Sequence, residues 1–140
     1  MKTTSELLDR FVELFNDDRF DEIPGDYSPG AIAEEIGTHR RVSPEESAED
    51  ARAWRKAFPD ARGTITTKVV EGNKGAAEIV WRGTNTGPFM GQPATGKPVT
   101  VNAVVIIETS GGKTSRSTHY IDIAGMMEQL GVAPQVETAS

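Results

Sequence analysis

The sequence predicts one α+β domain: a cone-shaped, curved antiparallel sheet with N-terminal helices over its concave face. Three observations predict it. The first half carries two capped helix starts, at Thr3 and Ser43. From residue 63 onward the chain is a succession of β-rich runs divided by glycine-containing turns. A short apolar stretch behind Asp122 then closes the domain. Helices segregated to one face of an antiparallel sheet define this fold class, and a hollow under such helices is where small ligands bind.

The first element is a helix. Thr3 and Glu6 fit a capping box, and Leu7, Phe11, Leu14 and Phe15 fall on one face. Asn16-Asp17-Asp18 ends it, a short turn carries Phe20 and Ile23, and Pro24-Gly25 and Pro29-Gly30 punctuate a loop. Residues 31–42 read either as a helical turn or as a short strand pair ending at His39-Arg40-Arg41-Val42, and the strand pair is the expectation. The second helix starts at Ser43 with Pro44 at its first position and Glu46 completing the box. Ala51, Trp54 and Phe58 share a face, and Pro59 stops the helix.

Four strands are expected to follow, over residues 64–70, 76–84, 99–107 and 114–121. Glu71-Gly72-Asn73-Lys74-Gly75 makes the first hairpin loop and Gly111-Gly112 the last turn. Residues 99–107 are apolar on both faces, which predicts a central strand. The final helix runs from residue 123 to Gly131, a favoured C-cap. Residues 1–131 are thus expected to form the domain and 132–140 a tail.

The bulk numbers exclude several function classes. With 140 residues the chain is one domain's length, and its net charge of −6 with no basic stripe argues against nucleic acid. It has no cysteine, so disulfides and thiolate chemistry are excluded. No apolar run approaches the ~20 residues of a membrane span, and the N-terminus enters an amphipathic pattern directly. A cytoplasmic protein with no membrane partner is the expectation. The two histidines lack further ligands at metal spacing, so no metal site is expected.

Several residues carry chemistry. His119 lies near the end of the last strand and shares a face with Ser115, Ser117 and Ile121. A lone strand histidine is more often structural, but this one sits where a pocket could use it, with Ser117 beside it. Asp122 is a second catalytic candidate, although helix N-capping also explains it. Asn102 interrupts an apolar strand, on the face of Val104 and Ile106, where a buried amide needs a partner and could bind a substrate oxygen. His39, Trp54 and Trp81 are candidate pocket residues, and Phe89 belongs to the long loop of residues 83–96, a lid or a subunit contact.

Four segments carry a family resemblance: Ala57-Phe58-Pro59-Asp60-Ala61; Gly83-Thr84-Asn85-Thr86-Gly87-Pro88-Phe89-Met90-Gly91; Pro93-Ala94-Thr95-Gly96-Lys97; and Gly112-Lys113 followed by Asp122 and Gln129-Leu130-Gly131. In this order and spacing they resemble the SnoaL-like polyketide cyclases, within the nuclear transport factor 2-like fold. The resemblance implies intramolecular aldol cyclisation, or a related isomerisation, of an apolar carbonyl-bearing substrate without a cofactor. The family's acid/base group is an aspartate on the last strand, and the matching position here holds His119. The chain also departs from the family pattern at Asn85 and at Arg116-Ser117. A histidine would do the aspartate's work from an ordinary pKa of ~6.5. The resemblance further implies a homodimer. A hydrolase or isomerase of the same fold and a non-catalytic ligand-binding module are the alternatives.

Overall fold

The computed structural model describes residues 1–132, so the expected tail, after its first residue, lies outside the described residues. Helix α1 spans Thr4–Asn16, followed by a 3₁₀ segment, Phe20–Asp26. Strands β1, Tyr27–Glu35, and β2, Arg40–Val42, precede helix α2, Pro44–Ala57. Strands β3, Arg62–Glu71, β4, Lys74–Thr84, β5, Pro98–Ser110, and β6, Lys113–Ile121, lead to helix α3, Ile123–Leu130. The strands form a single six-stranded sheet in the order β2-β1-β6-β5-β4-β3.

Local chemistry sets the element ends. Thr3 and Ser43 both close capping boxes, with Glu6 and Glu46 reaching back to the cap amides. Gly111 and Gly112 both adopt positive φ, 58° and 78°, as the tight β5–β6 turn requires. Gly131 ends α3 in the left-handed conformation.

Two expectations are corrected. The expected strand pair joins the four later strands in one six-stranded sheet, which is not wholly antiparallel, because β1 runs parallel to β6. Parallel neighbours need a long crossover; here everything from β2 to β5 separates them, so no turn between the two strands announces the pairing. The Pro29-Gly30 pair, read as loop punctuation, lies inside β1, where the register against β6 shifts between Tyr27 and Ile32. Irregularity there lets Gly30 take φ 76° without ending the strand. The expected strand pair is present: β1 and β2 are antiparallel, with Ala33 opposite Val42.

The core sits on the concave face in two groups. Leu7, Leu8 and Val12 of α1 pack on Ala77, Ile79, Val105 and Ile107. Ala57 and Phe58, at the end of α2, pack with Val99, Val101, Met126 and Leu130. Each buried aliphatic chain of this size contributes roughly 1.5–3 kcal/mol. Arg55 ties the two helices together. Its guanidinium donates to Asp18 at 2.7 Å, to the carbonyls of Phe15, Pro59 and Ala61 at 2.9, 3.1 and 2.8 Å, and lies over the Phe15 ring.

Candidate functional site

Between the two core groups is a cavity of about 160 Å³, lined from both. Its wall is mostly apolar: Phe11 and Phe15 of α1, Trp54 and Phe58 of α2, and Trp81 with the valines of β5. Trp81 is fixed by an edge-on contact with Phe15, ring centroids 4.9 Å apart. It lies flat over Gly63, where a side chain would meet the indole at 2.6 Å. The glycine is what allows the indole to face the cavity.

Most of the polar lining comes from β1, the β1–β2 turn, β6 and α2, and Arg82 of β4 adds to it. Glu35, Thr38, Ser47, Asp50 and His119 all reach the cavity wall. Glu35 and His119 are direct neighbours in the parallel β1–β6 pairing. Directly opposed residues point to the same face of a sheet, so the two side chains enter the hollow together. Ser47, Asp50, Ala51, Trp54 and Phe58 follow at helical spacing along α2. The cavity-facing stripe of this helix is therefore polar at its N-terminal end and aromatic at its C-terminal end.

Two of the titratable wall groups, Glu35 and His119, are perturbed, in opposite directions. Burial, and then the facing Asp50 carboxyl, push the Glu35 carboxyl up to about 7. Asp50 is held by Arg40, whose guanidinium donates to both its oxygens at 2.7 Å. Arg40 stands 3.9 Å from Glu35. Glu35 Oε1 and Thr38 Oγ1 have no hydrogen-bond partner among the described residues. For His119, burial acts alone and pushes the imidazole down to about 4. Its Nε2 is 2.8 Å from the Ser117 hydroxyl, which is itself 3.0 Å from the Tyr27 hydroxyl. At neutral pH the cavity thus holds a neutral imidazole beside a carboxyl poised to gain or lose a proton. That combination can take a proton from one atom of a ligand and stabilise charge on another.

The sequence profile of the SnoaL-like polyketide cyclases matches residues 5–130. The chain belongs to that family. Solved structures share its fold. AclR, a candidate hydroxylase from Streptomyces galilaeus, is 24% identical with a TM-score of 0.83, over 96% of this chain and 85% of its own. IdmH, a candidate polyketide cyclase from Streptomyces antibioticus, is 25% identical with a TM-score of 0.82, over 93% and 99%. A candidate SnoaL-like cyclase from Jannaschia sp. CCS1 shares 20% identity with a TM-score of 0.83, over 94% and 93%. Among curated proteins, none matches the chain.

Measured against the SnoaL-like expectation, the structure sorts the sequence-derived candidates. His119, Trp54 and Trp81 line the cavity. Asn102 does not: the face it shares with Ile106 is the outer one, and its side chain is exposed while Val101, Val105 and Ile107 point inward. The apolar strand is central, but one of its two apolar faces is open. His39 lies in the β1–β2 turn at φ 58°, exposed and away from the cavity wall. Asp122 is the N-cap of α3, accepting from Gly125 N at 2.9 Å, and does not reach the cavity. Ser117 is fully buried behind His119 and touches the cavity only through it. Phe89 packs on Trp54 and Phe58, at 4.9 and 5.5 Å, as backing to the wall.

Glu35, Asp50 and Tyr27 escaped the sequence reading. A signal for Glu35 existed in the alternation of Ala31, Ala33 and Glu35 against Ile32 and Glu34, once the segment is taken as a strand. Among the described residues no group of three His, Asp or Glu side chains is arranged to hold a metal ion. No helix among them is long and apolar enough to cross a membrane.

Proposed function

We propose that the chain is an acid/base enzyme that needs no cofactor and closes or isomerises an apolar, carbonyl-bearing, polyketide-like molecule. One observation carries this reading: Glu35 and His119 stand side by side on β1 and β6 and face one apolar cavity. In an aldol closure the Glu35 carboxylate takes a proton from a carbon next to a carbonyl. The carbanion, delocalised into that carbonyl, attacks a second carbonyl of the same molecule and forms the carbon–carbon bond. The resulting alkoxide takes a proton back. His119, neutral near pH 7, faces the developing oxygen charge. The aromatic wall holds the folded substrate and keeps water away, so that proximity and orientation add to proton transfer.

Turnover and binding are tested together. Apolar polycyclic ketones are screened for a thermal shift, and the binders are assayed for ring closure or isomerisation. Turnover that His119→Ala abolishes, with the melting transition intact, is the expected result. Retained activity in that variant removes His119 from the reaction. Binding without turnover points to a ligand-binding module.

The proposal includes a cytoplasmic homodimer. The outer face of β1, β5 and β6 leaves Ile32, Ile106 and Tyr120 more than 40% exposed, apolar area that a second copy could cover. The wild-type chain is expected to sediment at twice its mass of 15.1 kDa. Ile106→Glu, on that face, should sediment as a monomer. A monomeric wild type would remove the dimer.

A further inference from the structure

Behind the cavity wall, two buried hydroxyls and one imidazole form a chain with few choices. Ser117 is fully buried and Tyr27 nearly so. Tyr27 Oη lies 3.0 Å from Ser117 Oγ, and Ser117 Oγ lies 2.8 Å from His119 Nε2. Neither hydroxyl has another hydrogen-bond partner among the described residues. Each carries one proton, and a buried hydroxyl proton without an acceptor costs the full desolvation of that group.

Three proton arrangements are available. In the first, Tyr27 donates to Ser117 and Ser117 donates to the Nε2 lone pair, so both hydroxyl protons are used and the imidazole proton is on Nδ1. In the second, Nε2–H donates to Ser117 and Ser117 to Tyr27, which strands the phenolic proton. In the third, Nε2–H and Tyr27 both donate to Ser117, which strands the serine proton. Only the first leaves no buried hydroxyl proton unpaired. Burial raises the Tyr27 phenol further above its ordinary value, so it stays a donor throughout the working pH range.

We propose that Ser117 is a positioning residue that holds His119 in its Nδ1–H tautomer, so that the imidazole meets substrate as a hydrogen-bond donor. His119 Nδ1 has no partner among the described residues, and the ring lines the cavity. Its proton is available to a carbonyl oxygen. This deepens the acid/base reading and rests on it for its chemical meaning. The labour divides: Glu35 takes the carbon-bound proton, and the neutral imidazole polarises the carbonyl whose oxygen gains charge. The proton location itself does not depend on substrate.

The test is long-range ¹H–¹⁵N NMR of the His119 ring in the substrate-free protein at pH 7. The wild type should show Nδ1 as the protonated nitrogen, with the Nδ1–H form in excess by at least about tenfold, given the cost of a stranded hydroxyl proton. Tyr27→Phe keeps the serine hydroxyl and should keep that tautomer. Ser117→Ala removes the donor and should bring the two forms towards parity. Ser117→Thr, which restores a hydroxyl, should restore the excess. Protonation at Nε2 in the wild type overturns the proposal, and so does an unchanged tenfold excess in Ser117→Ala. If Ser117→Ala does not fold, the wild-type spectrum and Ser117→Thr still decide. Correct tautomers with no turnover would refute the enzyme reading and leave the positioning role standing.

Discussion

Replacing Glu35 by glutamine is expected to lower kcat/KM by about 10²–10⁴-fold, the usual contribution of a positioned general base. Glutamine has nearly the same shape and no basic oxygen, so the loss isolates proton transfer from packing. The cavity should survive the change, because the substitution removes a partly buried charge that faces a second carboxyl, Asp50. The wild-type rate should rise with pH through about 7, where the Glu35 carboxyl loses its proton, and then level off. No titration limb is expected near 6.5 from His119, because burial has moved its ionisation down to about 4. Glu35→Asp keeps the charge but withdraws it by one methylene, so it should retain the pH limb at a lower plateau. Full turnover in Glu35→Gln would end the assignment of Glu35 as the base.

The sequence displayed the fold better than the chemistry, and the residues show why. The segments that carry the family resemblance are structural hardware. Asp60 accepts from Thr84 N at 2.6 Å and Thr84 Oγ1 at 2.8 Å, closing the entry to β3. Asn85 is buried and holds both ends of its loop: it donates to Gly87 O at 2.8 Å and accepts from Thr95 N at 2.9 Å. Gly87 passes so close to α2 that a Cβ would overlap the Lys56 carbonyl. Gln129 pairs with the backbone of Thr100 in both directions, each bond 2.8 Å, and pins α3 to β5. Such demands on turns and caps are local, so they leave readable patterns.

The site is assembled by non-local pairings instead. Glu35 meets His119 only because β1 lies parallel to β6, across 84 positions of sequence, with the β1 boundary masked by Pro29-Gly30. In the sequence it is the second of two adjacent glutamates and indistinguishable from a solvated one. Asp50 is hidden the same way in an acidic helix. His119 was legible because a histidine is rare in this chain, and the misplaced Asn102 shows the converse: an apolar run reveals that a strand is central but not which of its faces meets a partner.

Opposed pH dependences of stability are the second large effect. Stability rises with pH wherever the unfolded chain binds more protons than the native one. For His119, with its native value near 4 and its ordinary value of 6.5, the unfolded chain binds the extra proton between those limits. Its contribution is therefore present above 6.5 and lost as pH falls towards 4. For Glu35, with its native value near 7 and its ordinary value of 4.5, the native state binds the extra proton. Its contribution is present below 4.5 and lost as pH rises through 7. Each is on the order of 3 kcal/mol, and across pH 4.5–6.5 they act in opposite senses. The wild type should accordingly show only a weak net dependence from this pair in urea denaturation. Glu35→Gln removes the falling contribution, so its stability relative to wild type should climb with pH between 4.5 and 7. His119→Gln removes the rising one, and its stability relative to wild type should decline from pH 4 to 6.5. Taking differences from wild type cancels the other carboxylates, among them Asp60, whose bonds from Thr84 hold it below the usual range and whose stabilisation is lost in acid. Flat difference curves for both variants would mean that neither group is perturbed by the cavity, and the proton chemistry assigned to the pair would lose its physical basis.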